Sequence, residues 1–62
     1  PLSDRELQVL RLVVAGLSNP DIAEELFIAV STVKSHINHI YGKLGVESRT
    51  QAVIKAQELA LL

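Results

Sequence analysis

Few side chains in this 62-residue sequence have chemistry to offer. His36 and His39 stand three apart, a spacing that puts two imidazoles on neighbouring positions of a helix. A structural zinc site, however, takes four ligands. The chain has no cysteine, and no Asp or Glu falls between Glu25 and Glu47 to complete a set. No metal site is therefore expected. Nor does any Ser, His and carboxylate combination suggest a nucleophilic triad. The three glycines, at 16, 42 and 45, are too scattered for a phosphate-cradling loop. Neither an enzyme nor a cofactor is expected.

What remains is a cluster of small donors and acceptors. At about 100° per residue, with Ile37 placed at zero, Val30, Val33, Ile40, Tyr41 and Leu44 fall within about 60° of it and predict a buried stripe. Ser31, Ser35, Asn38 and Gly42 fall opposite, flanked by Thr32, Lys34, His36 and His39. An ordinary solvated helix face mixes Glu and Lys about one turn apart. This one has no carboxylate. Short hydroxyl and amide side chains beside a lysine and a glycine suit a close approach to a surface of acceptors. The major groove of duplex DNA, with base edges flanked by phosphates, is such a surface.

The elements that must hold this face can be read from their start and stop signals. Ser3 and Glu6 form a capping box, and Leu7, Leu10, Val14 and Leu17 follow at helical spacing to a break at Gly16. Ser18-Asn19-Pro20-Asp21 opens a second helix, with Pro20 at its first position and Ile22, Ala23 and Leu26 as its apolar stripe. Phe27-Ile28-Ala29 reads as a turn. The third helix spans 30–44 and Gly45 ends it. A second capping box, Ser48-Arg49-Thr50-Gln51, starts a fourth helix that continues through Ala52, Val53, Ala56, Leu59 and Ala60. No β-branched alternation predicts a strand. The fold expected is all-α, a four-helix bundle containing a helix-turn-helix and no wing.

Length and charge bound the function. One small domain is all that 62 residues allow. No apolar run approaches the roughly 20 residues that span a bilayer. The chain opens on Pro rather than Met or a signal peptide, as a piece of a longer protein would. Its net charge of −1 is low for a nucleic-acid binder. The distribution matters more: residues 1–30 carry −3 and residues 31–62 carry +2. Any anion is drawn to the second half.

Several blocks in order carry a family resemblance: Leu2-Ser3-Asp4-Arg5-Glu6, Gly16-Leu17-Ser18-Asn19, Ile22-Ala23-Glu24-Glu25-Leu26, Ser31-Thr32-Val33-Lys34-Ser35-His36, Tyr41-Gly42-Lys43-Leu44-Gly45-Val46 and Arg49-Thr50-Gln51-Ala52-Val53. Together they resemble the LuxR-type helix-turn-helix, the output domain of quorum-sensing regulators and of NarL/FixJ-like response regulators. The resemblance covers residues 1–62 without insertion. It implies sequence-specific binding of double-stranded DNA in transcription regulation, with the third helix in the major groove and the fourth supporting a homodimer on an inverted-repeat operator. It implies further an upstream sensor or receiver domain and a cytoplasmic, bacterial setting.

Carried over by position, Lys34, Ser35 and Asn38 match base-reading residues. Ser31, Thr32, His36 and Lys43 match positions near the backbone. Arg49 and Thr50 resemble phosphate contacts at a helix N-terminus, and the same logic extends to Ser18 and Asn19. Ile54, Gln57 and Leu61 lie away from the stripe of Ala52, Ala56, Leu59 and Ala60 and form the expected dimer surface. The sequence departs from the family at Ala29, where a Ser or Thr commonly caps the third helix; Ser31 is the alternative cap. A second reading keeps the shape but docks a protein, such as RNA polymerase or another regulator, on the acidic surface around Glu24 and Glu25.

Overall fold

The computed structural model describes residues 2–60. Four helices follow in order: α1 (Asp4–Val14), α2 (Asn19–Leu26), α3 (Val30–Leu44) and α4 (Arg49–Glu58). Among the described residues there is no strand, so the all-α helix-turn-helix bundle is as the sequence predicts. The third helix keeps the bounds read from the sequence.

Three of the four helix ends close in the same way. The amides of Leu17, Ile28 and Val46 reach back to the carbonyls of Leu12, Ala23 and Tyr41, each five residues earlier in the chain. This geometry needs a left-handed residue just before the returning amide. Gly16 (φ 94°) and Gly45 (φ 69°) supply it at two ends, and Phe27 (φ 57°) supplies it in the turn between α2 and α3. Leu17, Ile28 and Val46 are each half-buried, so every closure also folds an aliphatic side chain inward. Phe27 itself is 92% exposed.

The core joins Val9, Leu10 and Val13 of α1, Ile22 and Ala23 of α2, Val33, Ile37 and Ile40 of α3, and Ala52 and Ala56 of α4. The two alanines have no exposed surface, so α4 approaches the bundle closely there, with Val53 half-buried against the core beside them. The buried line of α1 is rotated from the one expected: Val9, Leu10 and Val13 are inside, and Leu7, Val14 and Leu17 flank them half-buried. On α3, Val33, Ile37 and Ile40 are buried and Tyr41 and Leu44 half-buried, but Val30, the first residue of the helix, is 36% exposed, contrary to the expected stripe.

The capping details also sharpen. Ser3 Oγ accepts from the Glu6 amide (3.1 Å) and Glu6 Oε1 accepts from the Ser3 amide (2.9 Å), closing the first box. The second closes one residue early. Ser48 Oγ accepts from the Gln51 amide, but Gln51 Oε1 accepts from the Glu47 amide rather than from Ser48. Pro20 is the second residue of α2 rather than the first, where its missing N–H is still harmless. Ala29 precedes α3 with no side-chain cap, and Ser31 lies inside the helix rather than capping a later start. Leu59 is 51% exposed and Ala60 exposed, contrary to the expected inward stripe, because α4 stops at Glu58.

One long-range ion pair fixes the carboxyl end of α3. Lys43 Nζ lies 2.7 Å from Glu6 Oε1, with the Glu6 side chain 8% exposed. The Lys43 hydrogen bond, followed by the Ser3 amide, lowers the Glu6 carboxyl from 4.5 to about 2. A lowered carboxylate contributes stability in full above its unfolded value and loses it as pH falls toward the folded one. Stability that Glu6 provides is therefore expected to disappear between about pH 4.5 and 2. Urea midpoints measured across that range should fall less steeply in Glu6→Gln, which keeps the capping acceptor but cannot titrate. Parallel pH profiles for the two proteins would contradict this.

Candidate nucleic-acid interface

The fifteen residues of α3 are about 22 Å long at 1.5 Å rise per residue. Val33, Ile37 and Ile40 hold one side of it against α1 and α2. On the other side Ser31, Thr32, Lys34, Ser35, Asn38, His39 and Gly42 are all exposed. The three base-reading candidates, Lys34, Ser35 and Asn38, thus lie on one open arc with Ser31 and Thr32. His36 is half-buried at its edge.

Gly42 is informative because nothing among the described residues requires it. A Cβ built there meets nothing within 4 Å, and its backbone is helical. Glycine within a helix costs roughly 0.5–1 kcal/mol relative to alanine. A missing side chain on the polar arc lowers the profile of α3 where another body would approach.

The amino end of α3 adds donors. With no side-chain cap on Ala29, only Thr32 and Val33 direct their amides to the Ala29 carbonyl. The Val30 and Ser31 amides are left at the positive end of the helix dipole, where anions are favoured.

Of the remaining backbone candidates, all but Lys43 sit on two other helix starts that the fold brings together. Ser18 caps α2 by accepting from the Asp21 amide at 3.3 Å. Arg49, the first residue of α4, is half-buried. Its Nη1 donates to Asn19 Oδ1 at 3.0 Å and its Nη2 donates to the Leu17 carbonyl. Thr50 beside it is exposed. Lys43 lies on the α3 flank with 45% of its side chain exposed, paired to Glu6. These partnerships were not foreseeable from spacing: Lys43 and Glu6 are 37 residues apart, and Arg49 and Asn19 are 30 apart.

On α4, Ile54 is 50% exposed and Gln57 is exposed, whereas Leu61 lies outside the described residues. Among the described residues no group of His, Asp and Glu could hold a metal, and no helix is long and apolar enough to cross a membrane.

The likeness to known proteins agrees with this geometry. The family described as "Bacterial regulatory proteins, luxR family" (GerE) matches residues 1–56. The HTH-type transcriptional regulator MalT of Serratia proteamaculans (strain 568) is 52% identical over 59 residues, 95% of this chain and 6% of that protein. MalT of Yersinia pestis matches to the same extent. This chain therefore spans only a small fraction of those relatives' length. The crystal structure of response regulator ChrA, of a heme-sensing two-component system, superposes with a TM-score of 0.97 at 47% identity, covering 100% of this chain and 31% of that one. The transcription factor GerE superposes with a TM-score of 0.90 at 38% identity, covering 98% of this chain and 91% of GerE. A four-helix chain with an open, carboxylate-free third helix, matched by that family over nearly its whole length, belongs to the LuxR family of bacterial regulatory proteins and is a helix-turn-helix domain of DNA-binding transcription regulation.

Proposed function

We propose that α3 enters the major groove of double-stranded DNA, with Lys34, Ser35 and Asn38 meeting base edges. The observation that carries this reading is the open arc from Ser31 to Gly42, which has no carboxylate and contains a glycine the fold does not need. Ser31 and Thr32, with the uncapped amides before them, and His36 at the edge run beside one phosphate strand. Ser18, Asn19 and Thr50 follow the backbone from the helix starts of α2 and α4. Lys43 contributes less to the electrostatic attraction because Glu6 neutralises it. Phosphate contacts set register and base contacts set sequence preference.

An amide-shift titration of the 62-residue chain with a short mixed-sequence duplex at low salt tests the placement. Shifts are expected along residues 31–42 and near Ser18, Asn19 and Thr50. Unmoved amides there, with the fold intact, would refute it.

Further steps follow from the same reading. The domain acts as the output module of a longer bacterial, cytoplasmic regulator whose upstream receiver or sensor domain controls it, as its small share of MalT and ChrA suggests. Ile54 and Gln57 form the described part of a two-fold α4 contact that seats a homodimer on an inverted repeat. Ile54→Glu is expected to weaken binding to a duplex with two half-sites several-fold more than to one half-site. Equal weakening would remove α4 from the interface. A second reading, a protein partner such as RNA polymerase on α2, draws on Phe27, which is 92% exposed beside Glu24 and Glu25.

A further inference from the structure

Arg49 has the charge and position of a phosphate contact, yet its guanidinium is directed inward. Nη2 holds the Leu17 carbonyl in the α1–α2 connection, and Nη1 holds Asn19 Oδ1 in the first turn of α2. Leu17 is itself tied to α1 through its amide, which donates to the Leu12 carbonyl at 3.1 Å. One planar fork therefore fixes the start of α2 to the start of α4.

The consequence lies in the Asn19 amide. A side-chain amide has one accepting and one donating end, and its orientation follows from the bonds it makes. Because Arg49 can only donate, it captures Oδ1 and turns Nδ2 to the other side. Among the described residues nothing accepts from Asn19 Nδ2, and no polar side-chain atom is buried without a partner, so Nδ2 reaches solvent. It does so one residue from Ser18, at the positive end of α2.

We infer that Arg49 is a positioning residue for DNA binding: it presents the Asn19 Nδ2 donors to a backbone phosphate instead of meeting the phosphate itself. This inference rests on the groove placement proposed above. It accounts for a cation at the start of α4 that is half-buried rather than extended. It also makes α4, the helix proposed to carry the dimer contact, a rigid extension of the α2 phosphate contact.

Affinity for a short mixed-sequence duplex, measured at several salt concentrations, separates the two roles. Asn19→Ala is expected to weaken binding about tenfold, as loss of a hydrogen bond to a charged group does. Arg49→Lys keeps the charge but lacks the fork, and is expected to weaken binding to a similar degree. Arg49→Gln is expected to leave the slope of log affinity against log salt unchanged, and the Asn19→Ala, Arg49→Lys double variant to be no weaker than Asn19→Ala. The Asn19 side-chain NH₂ resonance should shift on adding duplex to the wild type but not to Arg49→Lys, a readout that any loss of stability does not imitate.

A slope reduced by about 0.9 in Arg49→Gln would show Arg49 on a phosphate and overturn the inference. So would multiplying losses in the double variant, or unchanged affinity in Asn19→Ala while Lys34→Ala weakens. A wild-type chain that ignores duplex would overturn the groove placement itself, and the inference with it.

Discussion

Replacing Ile40 by alanine is expected to lower stability by about 2–5 kcal/mol, the range for deleting a large buried aliphatic side chain and leaving part of its volume empty. Ile40 is 1% exposed and is among the largest fully buried side chains, together with Leu10, Ile22, Val9 and Val33. It holds α3 to the bundle almost opposite Asn38, so the loss falls on the helix that carries the proposed reading face. Domains of this size rarely draw more than about 3–5 kcal/mol from one core. Much of the Ile40→Ala population is therefore expected to be unfolded at room temperature.

Urea unfolding followed by helical circular dichroism would show the midpoint falling while the slope with denaturant stays the same. Because only the folded form offers the groove-facing helix, duplex in excess should restore part of the helical signal. A midpoint close to that of the wild type would mean that the site collapses around the smaller side chain, and that α3 is held mainly by Val33, Ile37 and the Lys43–Glu6 pair.

That helix was also the most legible part of the sequence. Its bounds, its buried aliphatics other than Val30 and its polar arc follow from period and from Gly45, because fifteen residues contain four turns of a single pattern. Shorter elements gave less. In α1 the apolar residues cover more than half the circumference, so periodicity marked Leu7 and Val14, and packing against α3 instead selected Val9 and Val13. Leu59 reads as internal only if α4 continues through it, and the helix ends at Glu58.

The polar residues divide along a different line. Bonds within one turn, such as the Ser3–Glu6 box, are visible in spacing. The bonds that join helices are not, because which face meets which is decided by the whole core. Glu6 belongs to both kinds: its capping role could be read from four residues, but its ion pair with Lys43 required α1 to lie against the end of α3. Arg49 shows the same limit. Its type and its place at a helix start suggested an anion, and the fold supplied a carbonyl and an amide oxygen instead.

Lys34 provides the clearest separation between holding the fold and reading DNA. It is exposed, beyond the edge of the buried stripe, and none of the ion pairs among the described residues involves it. Lys34→Ala is therefore expected to change stability by no more than about 0.5 kcal/mol, as surface substitutions do. If its ammonium meets a base edge, binding should lose about 1–3 kcal/mol, a factor of roughly 5 to 150 in affinity. The loss should be larger on a preferred sequence than on a mixed one, since a base contact counts only where the right acceptors stand in the groove. A lysine serving only a phosphate would instead weaken both duplexes alike and flatten the salt dependence by about 0.9. Melting and binding measured on the same preparation resolve the alternatives. A melting temperature lowered by several degrees would place Lys34 in the packing of the domain. Unchanged affinity for both duplexes would remove it from the interface and shift the burden of recognition to Ser35 and Asn38.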